Sequence, residues 1–228
     1  MSKLPLKKRI SAAKRRFRET WGTDISTPEA RRRAWWVFQL VDHAFLRYLW
    51  KNTREIAPGV FRANQPSPGR IEGYARRGIR SILNLRGPSD QSHYLFEKDA
   101  CDRTGITLVD RRLYATELPE RDQLLALLDT FEQIEKPFVM HCKSGADRSG
   151  FGAALYLIMT GSPVEVARRE LHWKHMHFKT EATGILDFFL RTYGAAEARS
   201  GISLRDWIAR DYDAAALTAA YRRERQAR

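Results

Sequence analysis

Residues 138–141 (FVMH) are apolar, follow Pro137 directly and read as a short buried strand, while residues 149–159 are almost wholly apolar, as a helix in the middle of a domain would be. Between them lies a short polar loop that runs from Cys142 to Arg148. A buried strand feeding a buried helix in this way is the repeating unit of a parallel sheet covered by helices. Gly161 and Pro163 stop the helix. A chain built around such a unit is an α/β protein.

The rest of the chain fits that frame. Residues 60–63 and 79–85 predict strands, the second ending at Arg86-Gly87-Pro88, and residues 106–114 predict another. Helices are expected over 71–77, over 94–103 with a cap near Gly105, and after Pro119, where Leu124, Leu127, Leu128, Phe131 and Ile134 share one face. Further helices are expected over 164–171, 183–193 and 204–225. The expected organisation is a basic arm (1–33), an aromatic amphipathic helix (34–56), one domain with a mainly parallel sheet flanked by helices (57–193) and a C-terminal helical extension (194–228). Within the arm, residues 10–17 predict a short helix.

The chain has 228 residues, 43% of them hydrophobic, enough for one α/β domain with a real core. Two cysteines, Cys101 and Cys142, are no disulfide framework and point to a reducing compartment. The start carries no secretion-signal pattern, and the longest apolar run, 150–161, is too short to span a bilayer, so the expectation is a cytoplasmic protein. Of the net charge of +13, residues 1–33 carry +8 and the last seven residues +3, leaving +2 for the body. Basic ends attract nucleic acid, anionic lipid or acidic protein surfaces without distinguishing them. The aromatics of residues 34–50 recur at helical spacing behind Arg31, Arg32 and Arg33, which suits either packing on the domain or peripheral contact with an anionic inner-membrane surface. Asp42, His43 and Arg47 argue against deep insertion.

The loop reads His141-Cys142-Lys143-Ser144-Gly145-Ala146-Asp147-Arg148-Ser149-Gly150. A loop feeding a helix N-terminus aims its backbone N–H groups at one spot and makes an anion cradle, and Gly145 permits the tight path. The same dipoles favour a negative sulfur on Cys142. Arg148 supplies a planar fork for two phosphoryl oxygens, Ser149 a hydrogen bond to the sulfur when it must leave, and His141 an orienting group beneath. Lys143, Ser144, Gly145, Ala146, Asp147 and Arg148 would line the oxyanion site, with Lys143 at its rim. These are the parts of a two-step displacement at phosphorus.

The loop resembles the His-Cys-x5-Arg-Ser/Thr motif of protein tyrosine and dual-specificity phosphatases, and the likeness extends more weakly over residues 57–193. Ser81-Ile82-Leu83-Asn84-Leu85-Arg86 is similar to the strand and turn of atypical bacterial and fungal members. Val60-Phe61-Arg62-Ala63, Gln65-Pro66 and the loop itself look most like the bacterial CtpA-like branch. The resemblance implies a phosphocysteine intermediate at Cys142, oxyanion binding by the amides of 143–148, and no metal or cofactor. It also implies a general-acid Asp on the loop after the preceding strand, but that loop reads Ala115-Thr116-Glu117-Leu118-Pro119 and holds none. Three carboxylates are candidates. Asp147 resembles the loop Asp of myotubularin lipid phosphatases, although Arg148 beside it favours the charged form and an acid must start protonated. Glu117 and Asp110 are its rivals.

Other residues have two readings each. Arg86 faces the same site or makes a structural ion pair. His172, His175 and His177 match no common zinc spacing, and Trp173 and Met176 between them suggest a packed helix end. Cys101 is a small buried residue or a partner for Cys142 in a reversible disulfide. The expected function is hydrolysis of a phosphomonoester, on phosphotyrosine or phosphoserine/threonine protein or on a phosphorylated lipid or sugar. Its competitors are a module that recognises phosphate without turnover and a rhodanese-type sulfurtransferase, whose Cys loop is usually shorter.

Overall fold

The computed structural model describes residues 16, 17, 19–178, 180 and 182–227. In chain order the elements are α1 (Pro28–Leu40), α2 (Leu46–Leu49), β1 (Arg54–Ala57), β2 (Val60–Asn64), α3 (Pro68–Arg76), β3 (Ser81–Asn84), α4 (Ser92–Thr104), β4 (Thr107–Asp110), α5 (Arg121–Gln133), β5 (Phe138–Cys142), α6 (Asp147–Met159), α7 (Val164–Ala167), α8 (Gly184–Ser200), α9 (Leu204–Arg210) and α10 (Ala214–Gln226). Two 3-10 turns, Arg168–Glu170 and Trp173–His175, lie between α7 and α8. The expected helix over residues 10–17 falls, apart from its last two residues, outside the described residues. Among the described residues no helix is long and apolar enough to cross a membrane.

The backbone forms two compact units, neither continuous in sequence. One takes the described residues up to Lys51 with Pro66–Arg77 and Pro88–Ile106. Here the single helix expected over 34–50 is two. Thr27 caps α1 through its side chain and Pro28 opens it, so Arg31, Arg32 and Arg33 lie inside the helix rather than before it. The break after Leu40 is held by Arg47, whose guanidinium donates to the Asp42 carbonyl (2.9 Å) and carboxylate (2.7 Å) and lies over the Phe38 ring, while His43 takes the left-handed conformation. Ala34, Phe38, Ala44 and Phe96 make this unit's core.

The other unit holds the sheet, ordered β1-β2-β5-β3-β4, with β2, β5, β3 and β4 parallel and β1 antiparallel at one edge. β1 begins within residues 34–56, where only helix was expected. The apolar stretch predicted as a central helix is α6, which packs on β5, β2 and β1 and touches α5, α7 and α9. Phe151, Ala153, Ala154, Leu155 and Tyr156 on it are almost fully buried, with Leu124, Leu127, Leu128 and Phe131 of α5 in the same core. The helix expected over 204–225 is broken at Asp213, whose carboxylate caps α10 by accepting from the Ala216 N–H at 2.7 Å. The fold is α/β, a mainly parallel sheet flanked by helices.

Candidate active site

β5 ends on Cys142 and α6 begins on Asp147, so the loop rises from the middle strand of the sheet and enters the most buried helix. Register places Asn64 of β2 beside Cys142 and Ala63 beside His141. Gly145 has φ +75°, and a Cβ there would lie 2.8 Å from the Asn64 nitrogen and 2.9 Å from the Ala63 carbonyl carbon. Only glycine satisfies both the backbone angle and the approach to β2.

The carbonyl oxygens of the loop are taken up on its outer side. Asn52 Nδ2 donates to those of Gly145 (2.8 Å) and, more weakly, Ser144 (3.3 Å), and Arg62 Nη2 to those of Gly145 (2.6 Å) and Ala146 (3.1 Å). In a planar trans peptide the N–H points opposite the C=O, so the amides that follow these carbonyls face the other way, inward. Arg62 is wholly buried, and its other nitrogen meets Glu170 at both the carboxylate and the backbone oxygen, each at 2.7 Å. Arg54 pairs with the same carboxylate. Burial alone would raise the Glu170 pKa, but Arg54 and Arg62 outweigh it and hold the group below the usual carboxylate range.

Cys142 is 1% exposed, with Sγ 3.3 Å from the Ser149 hydroxyl. Burial disfavours the thiolate. Against it act the Arg148 charge, the Ser149 hydroxyl and the backbone N–H groups of Ser149 and Gly145, which together pull the thiol below its ordinary range. Arg148 is half-buried in the first turn of α6. The expected nucleophile, guanidinium and hydroxyl are thus brought to one sulfur.

Asp147 has a partner that the sequence did not reveal. Its Oδ1 lies 2.7 Å from His177 Nδ1, and His177 Nε2 lies 2.9 Å from Asp187 Oδ2. His177 is 3% exposed, whereas Trp173 and Met176 are exposed, so the segment is not the packed helix end that was expected: the histidine, not its apolar neighbours, is the buried residue. The remaining candidates are spread wider. His141 is buried on β5, Ala146 is buried, Lys143 is half-buried and Ser144 exposed. Asp110 ends β4 and accepts from Asn84 Nδ2 at 2.8 Å, and Glu117 is exposed in the segment between β4 and α5. Arg86 donates to the Gln65 amide oxygen at 2.8 Å. Cys101 is a buried thiol on α4.

Of the residues not singled out from sequence, Arg62 had a signal, a charged side chain inside an apolar strand pattern. Asn52, Arg54, Glu170 and Asp187 had none, since each reaches the loop or its partners from a distant part of the chain.

Solved structures share the fold. That of P. aeruginosa TpbA is 18% identical, with a TM-score of 0.51 over 65% of this chain and 91% of its own. A mutant form of Tk-PTP is 18% identical, with a TM-score of 0.52 over 65% and 97%. The core catalytic domain of the PP-IP phosphatase SIW14 from S. cerevisiae is 19% identical, with a TM-score of 0.51 over 69% and 94%. No curated protein matches the sequence. A family model described as "Swiss Army Knife protein, DSP-PTPase phosphatase domain" matches residues 51–193. The CtpA-like placement is finer than these matches reach. With well over half of its length inside that match, the chain belongs to the Swiss Army Knife family of Cys-dependent dual-specificity-type phosphatases.

Proposed function

We propose that this phosphatase hydrolyses phosphomonoesters in two displacements through a phosphocysteine at Cys142. The observation that carries the reading is the buried Cys142 sulfur, 3.3 Å from the Ser149 hydroxyl at the start of a buried helix, where the Arg148 charge and the loop amides favour the thiolate. In the first step Cys142 attacks phosphorus while the loop amides and Arg148 hold the non-bridging oxygens, whose charge grows as the leaving oxygen departs. In the second, water attacks the phosphocysteine and the Ser149 hydroxyl supports the departing sulfur. A module that only held phosphate would gain nothing from an ionised nucleophile, and a seven-residue cradle suits a phosphoryl group better than a persulfide.

Asp147 is the acid of the first step. It stands next to Arg148, its side chain is 23% exposed, and the hydrogen bond to His177 engages only one of its oxygens. Asp110 is tied to Asn84 by its own carboxylate.

The substrates are a phosphotyrosine or phosphoserine/threonine protein, or a phosphorylated lipid or sugar. An anionic membrane surface is the favoured workplace. Trp36, Leu40, Phe45, Leu46, Leu49 and Trp50 are all exposed despite their apolar character, and Leu49 is 90% exposed. In sequence they follow residues 1–33, which carry a net +8.

Purified protein assayed without metal on p-nitrophenyl phosphate, phosphotyrosine peptide and a phosphoinositide tests the chemistry, beside Cys142→Ser. Turnover by the native chain, lost in the variant while substrate still binds, is expected. Equal turnover by both would remove Cys142 from the reaction.

A further inference from the structure

Asp147 lies at the first position of α6 and Asp187 in the first turn of α8, and His177 reaches between the two helix starts. Negative charge is favoured at both places, because each helix dipole points its positive end there. The imidazole uses both nitrogens, Nδ1 toward Asp147 at 2.7 Å and Nε2 toward Asp187 at 2.9 Å. The Asp147 carboxylate makes no further hydrogen bond among the described residues, which leaves its second oxygen for another partner. Asp187 also lines a cavity of about 220 Å³, together with Arg168, Thr180 and Tyr221.

We propose that His177, held by Asp187, supplies the proton that Asp147 hands to the leaving oxygen of the substrate. This rests on the phosphocysteine reading above and adds to it a residue that acts through Asp147 and does not touch substrate. It also removes the difficulty of an acid standing next to an arginine: the proton need not rest on Asp147 between turnovers. As the S–P bond forms and the P–O bond breaks, the electron pair stays on the leaving oxygen. That oxygen takes a proton from Asp147, which takes one from His177 Nδ1. The imidazole is left neutral, its remaining proton still on Nε2 and donated to Asp187. In the second step the attacking water gives a proton back along the same line as the S–P bond breaks, so each turnover restores the starting state.

The surroundings of the ring favour its charged form. Burial by itself would strip the proton, but the hydrogen bonds to Asp147 and Asp187, followed by the charges of the two carboxylates, outweigh it and lift the imidazole to about 9. Those two carboxylates are the charged groups that face it. Both ring nitrogens therefore carry protons at neutral pH.

The test is the dependence of rate on the leaving group. p-Nitrophenolate departs without a proton, whereas phenol and alkyl alcohols need one. The full-length His177→Gln variant keeps a hydrogen-bonding side chain without an ionisable one. Its loss in kcat/KM should be at least about 30-fold larger on phenyl phosphate than on p-nitrophenyl phosphate, within the range that a general acid contributes. Asp147→Asn should show the same selectivity, and the double variant should be no worse than Asp147→Asn alone. Asp187→Asn, which keeps the ring in place, should show a smaller loss of the same kind and serves if His177→Gln does not fold. Equal losses on both esters would make the line a structural brace only, and no loss on either would leave it without a part in the reaction; each overturns the proposal. Native protein inactive on every ester would overturn the phosphatase chemistry itself, an outcome distinct from both.

Discussion

The guanidinium of Arg62 donates to the carbonyl oxygen of Gly145 at 2.6 Å from inside the protein, with no exposure to solvent. One buried cation thus turns the cradle's peptides, and Glu170 compensates its charge. Burial drags the Arg62 pKa below its usual value and Glu170 opposes that, as expected of a charge taken out of water and paired.

Arg62→Met should therefore damage both stability and chemistry. Breaking one side of a buried ion pair costs about 3–5 kcal/mol, read by urea denaturation. Loss of the inward set of the amides should lower kcat/KM by about 100-fold or more, the worth of one oxyanion donor. Arg62→Lys keeps the charge without the fork, so it should recover stability better than activity. Full activity in Arg62→Met would show that the loop holds its shape unaided.

The Cys142 thiol should ionise below the ordinary cysteine value of about 8.5. Thiolate absorbance followed against pH, with Cys142→Ser subtracted to remove Cys101, measures it. Arg148→Met should raise the inflection most and Ser149→Ala less, in the order of their effects on the sulfur. Ser149→Ala should also slow hydrolysis of the phosphocysteine more than its formation, visible as a burst in rapid-mixing experiments. An unchanged inflection in Arg148→Met would assign the shift to the amides and the Ser149 hydroxyl alone.

How far the sequence foretold this site follows from where its parts lie. Cys142, Gly145, Arg148 and Ser149 occupy one strand–loop–helix unit, so their spacing made the loop legible as a unit, and the alternation of apolar runs carried the parallel sheet. The groups that hold the loop are not local. Asn52 precedes β1, Glu170 sits in a 3-10 turn and Asp187 lies in the first turn of α8; only packing brings them to the loop and to His177. His177 was hidden for another reason, since Trp173 and Met176 imitate a packed face that in the structure is solvent-exposed. The break between α1 and α2 was equally illegible, because an Asp42–Arg47 pair five positions apart is no helix signal in either direction.

His177 gives the folded protein a pH dependence of known sign. Its pKa rises from 6.5 to about 9 on folding, so the stabilisation is fully present below the unfolded value and is lost as pH climbs through the folded one. The melting temperature should fall by several degrees between about pH 7 and pH 10, and the fall should shrink in His177→Gln. Cys142 acts in the opposite sense, because a depressed thiol stabilises the fold at alkaline pH and loses that contribution as pH falls. The comparison is therefore cleaner in a Cys142→Ser background. A slope identical with and without His177 would mean that the imidazole is not the group responsible.

Association with anionic membranes makes separate demands on charge and on apolar surface. Vesicles containing phosphatidylserine should bind the full chain and release it as salt rises, since each basic residue near such a surface contributes about 1 kcal/mol and is screened over about a Debye length. Neutral vesicles should bind far more weakly. Burying an exposed leucine is worth about 1.5–3 kcal/mol, so Leu49→Glu should weaken binding to the anionic vesicles by at least about tenfold, and Trp36→Glu should act similarly. Neither residue belongs to the unit that carries Cys142, so hydrolysis of p-nitrophenyl phosphate should survive both substitutions. Binding that depends on salt but ignores Leu49 and Trp36 would make the contact purely electrostatic and leave the exposed aromatics to a protein partner.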